Sequence, residues 1–317
     1  MLDLQQRLAQ VGLETAPDTP ASYGNATRAS VEAFQHGRRL PVTGICDQQT
    51  WDALVEASYE LGDRLLYFRH PMTRGDDVAE LQRCLSALGF DTGRIDGIFG
   101  TLTAAALADF QTNMALPSDG ICGTRTIQEL RRVQARHANS HLVAYVRDKV
   151  RLRDSSHGLA GSRIAVAEDG SLGALAAALR RDLTEAGAAV IEVMHPDGSV
   201  QARSVNASGA TVCLGITLLG GGSDPVVSYY AGHSYESPGG RRLAELTRTH
   251  LMLLEGYHRI SVEGMSLPFL RETSMPAMLC RLSSPAFVVN NTGDIAAALA
   301  RALGDWSVSP VEASTVQ

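Results

Sequence analysis

The sequence predicts a multi-domain protein in which two tandem all-α, three-helix repeats precede an α/β domain with a mostly buried mixed sheet. Three observations predict it. The segment LPVTGIC at residues 40–46 recurs as LPSDGIC at residues 116–122, apolar residues around both copies recur at helical spacing, and after residue 162 short strand-like runs alternate with helical stretches. A chain of 317 residues is long enough for two or three domains, each with its own core.

The repeat offset is 76 residues, at which Gly24 matches Gly100, Phe34 and Gln35 match Phe110 and Gln111, Thr50 matches Thr126 and Leu54 matches Leu130. Gln5 and Gly12 match Gln82 and Gly89 with a slip of one residue. Each copy reads as an amphipathic helix ending at glycine, a loop, a second helix carrying the Phe-Gln pair, a turn and a short third helix. In the second copy Val78, Leu81, Leu85 and Leu88 share a helical face, with Gly89 placed to end the helix in the left-handed region. Leu102, Ala106 and Phe110 form the next face, and Asp119-Gly120 makes a turn. Cys46 and Cys122 occupy equivalent positions and read as small buried residues. The copies are expected over residues 1–60 and 73–137, followed by a charged linker over 138–161 and the α/β domain over 162–306.

Within that last domain, strands are expected at 163–167, 189–193, 211–214, 225–230 and 277–282, with helices at 172–186, 239–254 and 292–303. Alternation of this kind places helices against a layered sheet. Residues 307–317, SVSPVEASTVQ, lack apolar periodicity and read as a flexible tail, with Ser307, Ser309, Ser314 and Thr315 as candidate phosphorylation sites.

Composition narrows the function. A net charge of -6 and 5% aromatic residues argue against nucleic acid as a partner. The N-terminus has no basic region followed by an unbroken apolar run, and no window approaches the ~18 apolar residues of a transmembrane segment. Five cysteines without a CxxC pair suit a reducing compartment, so the expected location is cytoplasmic.

The stretch RIDGIFGTLTAAALADFQTNMALPSDGICGTRTIQEL resembles the peptidoglycan-binding repeat of cell-wall enzymes, through its DGxFGxxT, FQ and DGxxGxxT elements; the first copy is weaker, with Tyr23-Gly24 in place of Phe99-Gly100. These residues serve equally well as turn glycines and core aromatics. The later segments VVSYYAGHSYESPGGRRLAEL and LPFLRETSMPAMLCRLSSPAFVVNN resemble the zinc-dependent N-acetylmuramoyl-L-alanine amidase domain. That resemblance implies three zinc ligands and a catalytic Glu, because a metal with an open water position generates the nucleophile. Thr217 stands where a ligand His is implied and Arg281 where the catalytic Glu is implied. Only Glu168, Asp169, Gly170 and Ser171 follow the first strand, too few for the ligand loop. The expectation is therefore a pseudoenzyme with no metal, cofactor or catalytic residues.

Other candidates are set aside on spacing. His195, His233, Glu192 and Glu236 share no ligand pattern, Asp169 or Ser171 reads as a helix N-cap, the glycines at 220–222 open no phosphate-binding helix, and Ser283 and Ser284 lack a GxSxG elbow. Two repeats ahead of an amidase-like domain, together with the segment EASYELGDRLLYFRHPMTRGDDVAELQRCLSALGF, are similar to the CwlM family of actinobacterial proteins. The resemblance implies a regulator of peptidoglycan precursor synthesis that binds a MurA-type enolpyruvyl transferase and is switched by a Ser/Thr kinase, with a muropeptide or lipid-linked precursor as a further ligand. The partner-binding face is not legible. The alternative is a wall-binding protein, or an amidase with an unrecognised site.

Overall fold

In a computed structural model of the chain, the described residues are 1–134, 152, 158–220, 224–233 and 235–311. Most of the expected linker lies outside them. The chain divides into two compact units, one holding the repeats and the other the α/β domain.

The first repeat contains α1 (Leu2–Gln10), α2 (Asn25–Gly37) and α3 (Gln48–Ala57), and the second contains α4 (Asp76–Ala87), α5 (Thr101–Asn113) and α6 (Thr124–Gln134). Gly12 and Gly89 have φ of +81° and +96°, and the amides of Leu13 and Phe90 close back onto Leu8 and Leu85, so each first helix ends in the left-handed turn that its glycine permits. The apolar faces form separate cores, around Leu8, Val31, Phe34 and Leu54 in one repeat and around Leu81, Leu85, Phe99, Phe110 and Leu130 in the other.

Four buried glutamines tie the loops to these helices. In α5 the Gln111 carboxamide accepts from the Gly120 amide and donates to Asp119, to the Ile121 carbonyl and to Thr126. Gln35 does the same with the Thr43 and Gly44 amides, the Ile45 carbonyl and Thr50. Gln82 and Gln5 bind the loops that follow their own helices and end on Thr103 and Thr27. A carboxamide has two donors and an acceptor with two lone pairs, which matches what a tight buried turn leaves unpaired. The Gln, Gly and Thr positions of the repeat are thus accounted for by folding.

The second repeat is larger than expected. Leu61 and Leu66, from the connection between the copies, are buried in its core, and Arg64 of the same strap pairs with the buried Asp77 at 2.7 Å. The strap residues Leu61, Arg64 and Leu66, outside both expected repeats, thus pack with the second, which lacks part of its core without them.

The α/β unit runs β1 (Arg163–Glu168), α7 (Gly173–Glu185), β2 (Ala189–Met194), α8 (Gly198–Ala207), β3 (Val212–Leu218), β4 (Val226–Tyr230), α9 (Pro238–Leu251), β5 (Ser261–Met265), α10 (Pro268–Glu272), β6 (Ala277–Leu282), α11 (Pro285–Asn290) and α12 (Thr292–Val308). The sheet order is β2-β1-β3-β6-β4-β5, parallel throughout except between β4 and β6. One face buries Ile164, Val166, Leu214, Ile216, Met278 and Cys280 against α7, α9 and α12. The other carries Phe269 of α10, whose ring lies so close to Gly215 that a Cβ there would come within 2.7 Å. α12 continues past Trp306 to Val308, and Trp306 donates to the Gly239 carbonyl at 2.9 Å while Val311 is buried. Ser307 and Val308, expected in the tail, are thus helical, and residues 312–317 lie outside the described residues. Among the described residues no helix is long and apolar enough to cross a membrane.

Candidate functional site

Beyond the layer covered by Phe269, the same sheet face ends in a polar cluster. Thr217 on β3 is in register with Arg281 on β6, and Ser228 on β4 with Glu263 on β5. Side chains two residues apart on a strand share a face, so Gly215, close under Phe269, and its cross-strand neighbour Leu279 are followed by the half-buried Thr217 and Arg281. Asp169, one residue past the end of β1, accepts a hydrogen bond from the Thr217 hydroxyl. The Arg281 guanidinium donates to the Ser228 hydroxyl at 3.1 Å and lies 3.5 Å from the Glu263 carboxylate, which accepts from Ser261. Five strands thus contribute to one polar cluster, near the carboxyl ends of the parallel β1, β3 and β6, where open α/β sheets place their ligand crevices; Ser228 and Glu263 stand one step back along the face, level with Leu279, and Arg281 reaches them diagonally.

Electrostatically the cluster alternates in sign. Burial by itself pushes the Asp169 carboxyl up, but bonds from the hydroxyls of Ser171 and Thr217 and from the Ser171 amide hold it below the usual carboxylate range. Burial pulls the Arg281 guanidinium down from its ordinary value, opposed by Glu263, yet an arginine retains its charge in such a setting. Its Nε is buried without a hydrogen-bond partner among the described residues.

A zinc ion needs three or four His, Cys or carboxylate donors converging on one point. Here the carboxylates of Asp169 and Glu263 are separated within the cluster by a guanidinium and two hydroxyls. The donor set does not fit the metal. Among the described residues no three His, Cys, Asp or Glu side chains gather into a metal-binding group.

The structure brings Thr217 and Arg281 together, joins Asp169 and its partner Ser171 to them through the Thr217 hydroxyl, and leaves the remaining candidates apart. Glu192 pairs with Arg180, His195 accepts from the Asp197 amide, and Glu236 accepts from Tyr229 and Arg241. His233 lies in the loop after β4. Asp169 and Ser171 do not cap α7, contrary to expectation: the N-cap residue is Leu172, and the Glu168 carboxylate takes the amides of Gly170 and Leu172. Ser283 is buried, whereas Ser284 adopts φ +56° at the start of α11. Ser307 is 8% exposed, with its hydroxyl on the Gly304 carbonyl at 2.7 Å, a poor position for a kinase substrate. Ser309 is more open and bonds the Val311 carbonyl; Ser314 and Thr315 lie outside the described residues. Sequence reasoning missed Ser228 and Glu263. The alternation of Ser261 and Glu263 with Val262 was the available signal for β5, and it is short.

Comparison with known proteins follows the same division. The family model described as a peptidoglycan binding domain matches residues 1–54 and 74–130. The protein named N-acetylmuramoyl-L-alanine amidase CwlM of Mycobacterium tuberculosis is 33% identical over 309 residues, covering 88% of this chain and 75% of that protein. CwlL of Bacillus licheniformis, named an amidase of the same kind, is 32% identical over 149 residues, and the chain covers only 41% of its length. Among solved structures, the amidase Ami1 of Mycobacterium smegmatis superposes on 48% of this chain and all 100% of its own, at 13% identity and a TM-score of 0.40. On the mycobacterial match, which spans most of both sequences, the chain belongs to the CwlM family of amidase-related, peptidoglycan-binding proteins.

Proposed function

We propose that this CwlM-family chain performs no amidase chemistry and acts in the cytoplasm as a regulator of peptidoglycan precursor synthesis, through contact with a MurA-type enolpyruvyl transferase and under Ser/Thr phosphorylation. The observation that carries the loss of catalysis is Arg281, held by Ser228 and Glu263 beside Thr217. At 4 Å and an effective dielectric of 20, a unit charge repels each positive charge of a metal by about 4 kcal/mol, so a guanidinium there opposes a divalent ion by about 8 kcal/mol. The partner and the switch come from the family resemblance, and the tail residues Ser309, Ser314 and Thr315 are the phosphorylation sites that fit it.

Elemental analysis of the full chain is expected to find zinc far below one ion per chain, with no peptide released from peptidoglycan. About one zinc per chain with chelator-sensitive release overturns the reading and establishes the alternative, amidase activity, which the names of the relatives favour. Thr217→His and Arg281→Glu, each alone, are expected to leave hydrolysis at background because one donor cannot hold the ion. For the regulatory half, a pull-down with and without kinase treatment is expected to recover the transferase in a phosphate-dependent manner; recovery of no such enzyme in either state refutes it.

A further inference from the structure

The two repeats differ on one face. In the second, the Cys122 backbone is paired with the strap: its amide donates to the Leu66 carbonyl at 2.8 Å, and the Leu66 amide faces the Cys122 carbonyl at 3.4 Å. Both side chains then point into the core and are fully buried. Leu65 lies over Gly123, and Tyr67 falls opposite Ile121 in the antiparallel register.

At the equivalent place in the first repeat, no strand pairs with Cys46 among the described residues. Ile45 is 65% exposed, Tyr23 and Val42 are also exposed, and Cys46 and Trp51 are only half-buried against their core. What occupies the edge is the Tyr23 side chain, whose hydroxyl donates to the Gly44 carbonyl at 2.6 Å. Phe99, its counterpart in the second repeat, is fully buried.

We propose that this face of the first repeat is a docking site for an extended apolar strand of a partner protein, paired at Cys46 as Leu66 is paired at Cys122. The chain's own strap is the template, and it specifies the occupant. A leucine-like residue sits at the pairing position and enters the half-open core beside Trp51. The residue after it is apolar or aromatic and stands opposite Ile45, as Tyr67 stands opposite Ile121. The residue before it faces Asp47, an exposed acid that replaces Gly123, so a basic side chain fits there better than leucine. Main-chain pairing supplies affinity, and the alternate side chains supply selectivity. This site is remote in sequence from Arg281 and does not depend on loss of catalysis, so the two readings fail independently.

The test uses the full chain and a synthetic peptide of residues 60–70 carrying Leu65→Arg, with Trp51 fluorescence as readout. The chain has only one other tryptophan, Trp306, which is buried in the α/β unit. A saturable emission shift is expected, absent from Trp51→Phe. Ile45→Asp, a change at an exposed position that leaves the fold intact, is expected to weaken binding at least about tenfold by facing the strand with an unpaired charge. Tyr23→Phe is expected to tighten it, since the hydroxyl no longer holds the edge. No saturable shift up to about 1 mM peptide overturns the proposal, that being the weak end of specific affinity. So does loss of binding on Ile121→Asp with Ile45→Asp unaffected, which means exchange with the strap. Dimerisation of the free chain that Ile45→Asp abolishes also overturns it, in favour of a second copy.

Discussion

Replacing Gln82 with leucine tests whether the motif residues of the second repeat are there for the fold. Gln82 is 1% exposed; its Oε1 accepts from the Gly97 amide at 2.9 Å, and its Nε2 donates to the Ile98 carbonyl, Asp96 and Thr103 at 3.0–3.1 Å. Leucine preserves the volume and removes every one of these bonds. The Ile98 carbonyl keeps a second donor, the Gly100 amide, so the Gly97 amide is the group left without its partner, together with the weakened Asp96 and Thr103 contacts. A buried group deprived of its partner costs about 1–3 kcal/mol, giving a total of about 2–4 kcal/mol. Hydrogen exchange at the Gly97 amide in the full chain reads this directly: at 1.4 kcal/mol per tenfold, exchange is expected to accelerate roughly 30- to 700-fold. Gln5→Leu, whose partners at Thr19, Ser22 and Ala21 are only part-buried and within reach of water, is expected to cost about half as much. A change below about fivefold for Gln82→Leu, or equal costs at the two sites, refutes the reasoning.

Gly215→Ala is expected to destabilise the α/β unit by about 1–3 kcal/mol, because its Cβ meets the Phe269 ring at 2.7 Å and Leu279 at 2.8 Å; an unchanged calorimetric transition counts against that packing. Thr217→Val removes a hydroxyl from Asp169, whose folded-state carboxyl is held below its ordinary value, so the stability it supplies is present above the unfolded value and is lost as pH falls through the folded one. The variant raises the folded value and moves that loss to higher pH; a carboxyl titration by NMR that does not move sinks the argument. Ser307→Asp buries a charge and is expected to cost about 2 kcal/mol or more, against about 0.5 kcal/mol or less for Ser309→Asp, as read by urea denaturation. In the same vein, mass spectrometry after kinase treatment is expected to find phosphate on Ser309, Ser314 or Thr315; phosphate on Ser307 of the folded chain contradicts its burial.

The repeats were legible because their determinants are local. Helical periodicity places Val78, Leu81 and Leu85 on one face, and a glycine seven residues past the repeat's glutamine ends the helix within the same short window. In the α/β unit β6 was placed at its observed bounds, since an apolar run between proline and serine admits little else. α8, β5 and the short helices α10 and α11 were not found. α8 has small and polar residues and one clear signal, the Asp197 side chain on the amides of Ser199 and Val200, while β5 is half-buried along its whole length and shows only a weak alternation.

By itself, the sequence determined that two copies of one helical unit precede an α/β domain, and that a threonine and an arginine stand where the resemblance implies a ligand and a catalytic acid. Only the tertiary structure decided that the strap around Leu66 packs with the second repeat, and that Asp169, Thr217, Arg281, Ser228 and Glu263 form one polar cluster. The reason is that β6, last of the strands in the chain, pairs between β3 and β4. Such pairing is set by long-range burial of the two sheet faces, which no local window of sequence encodes.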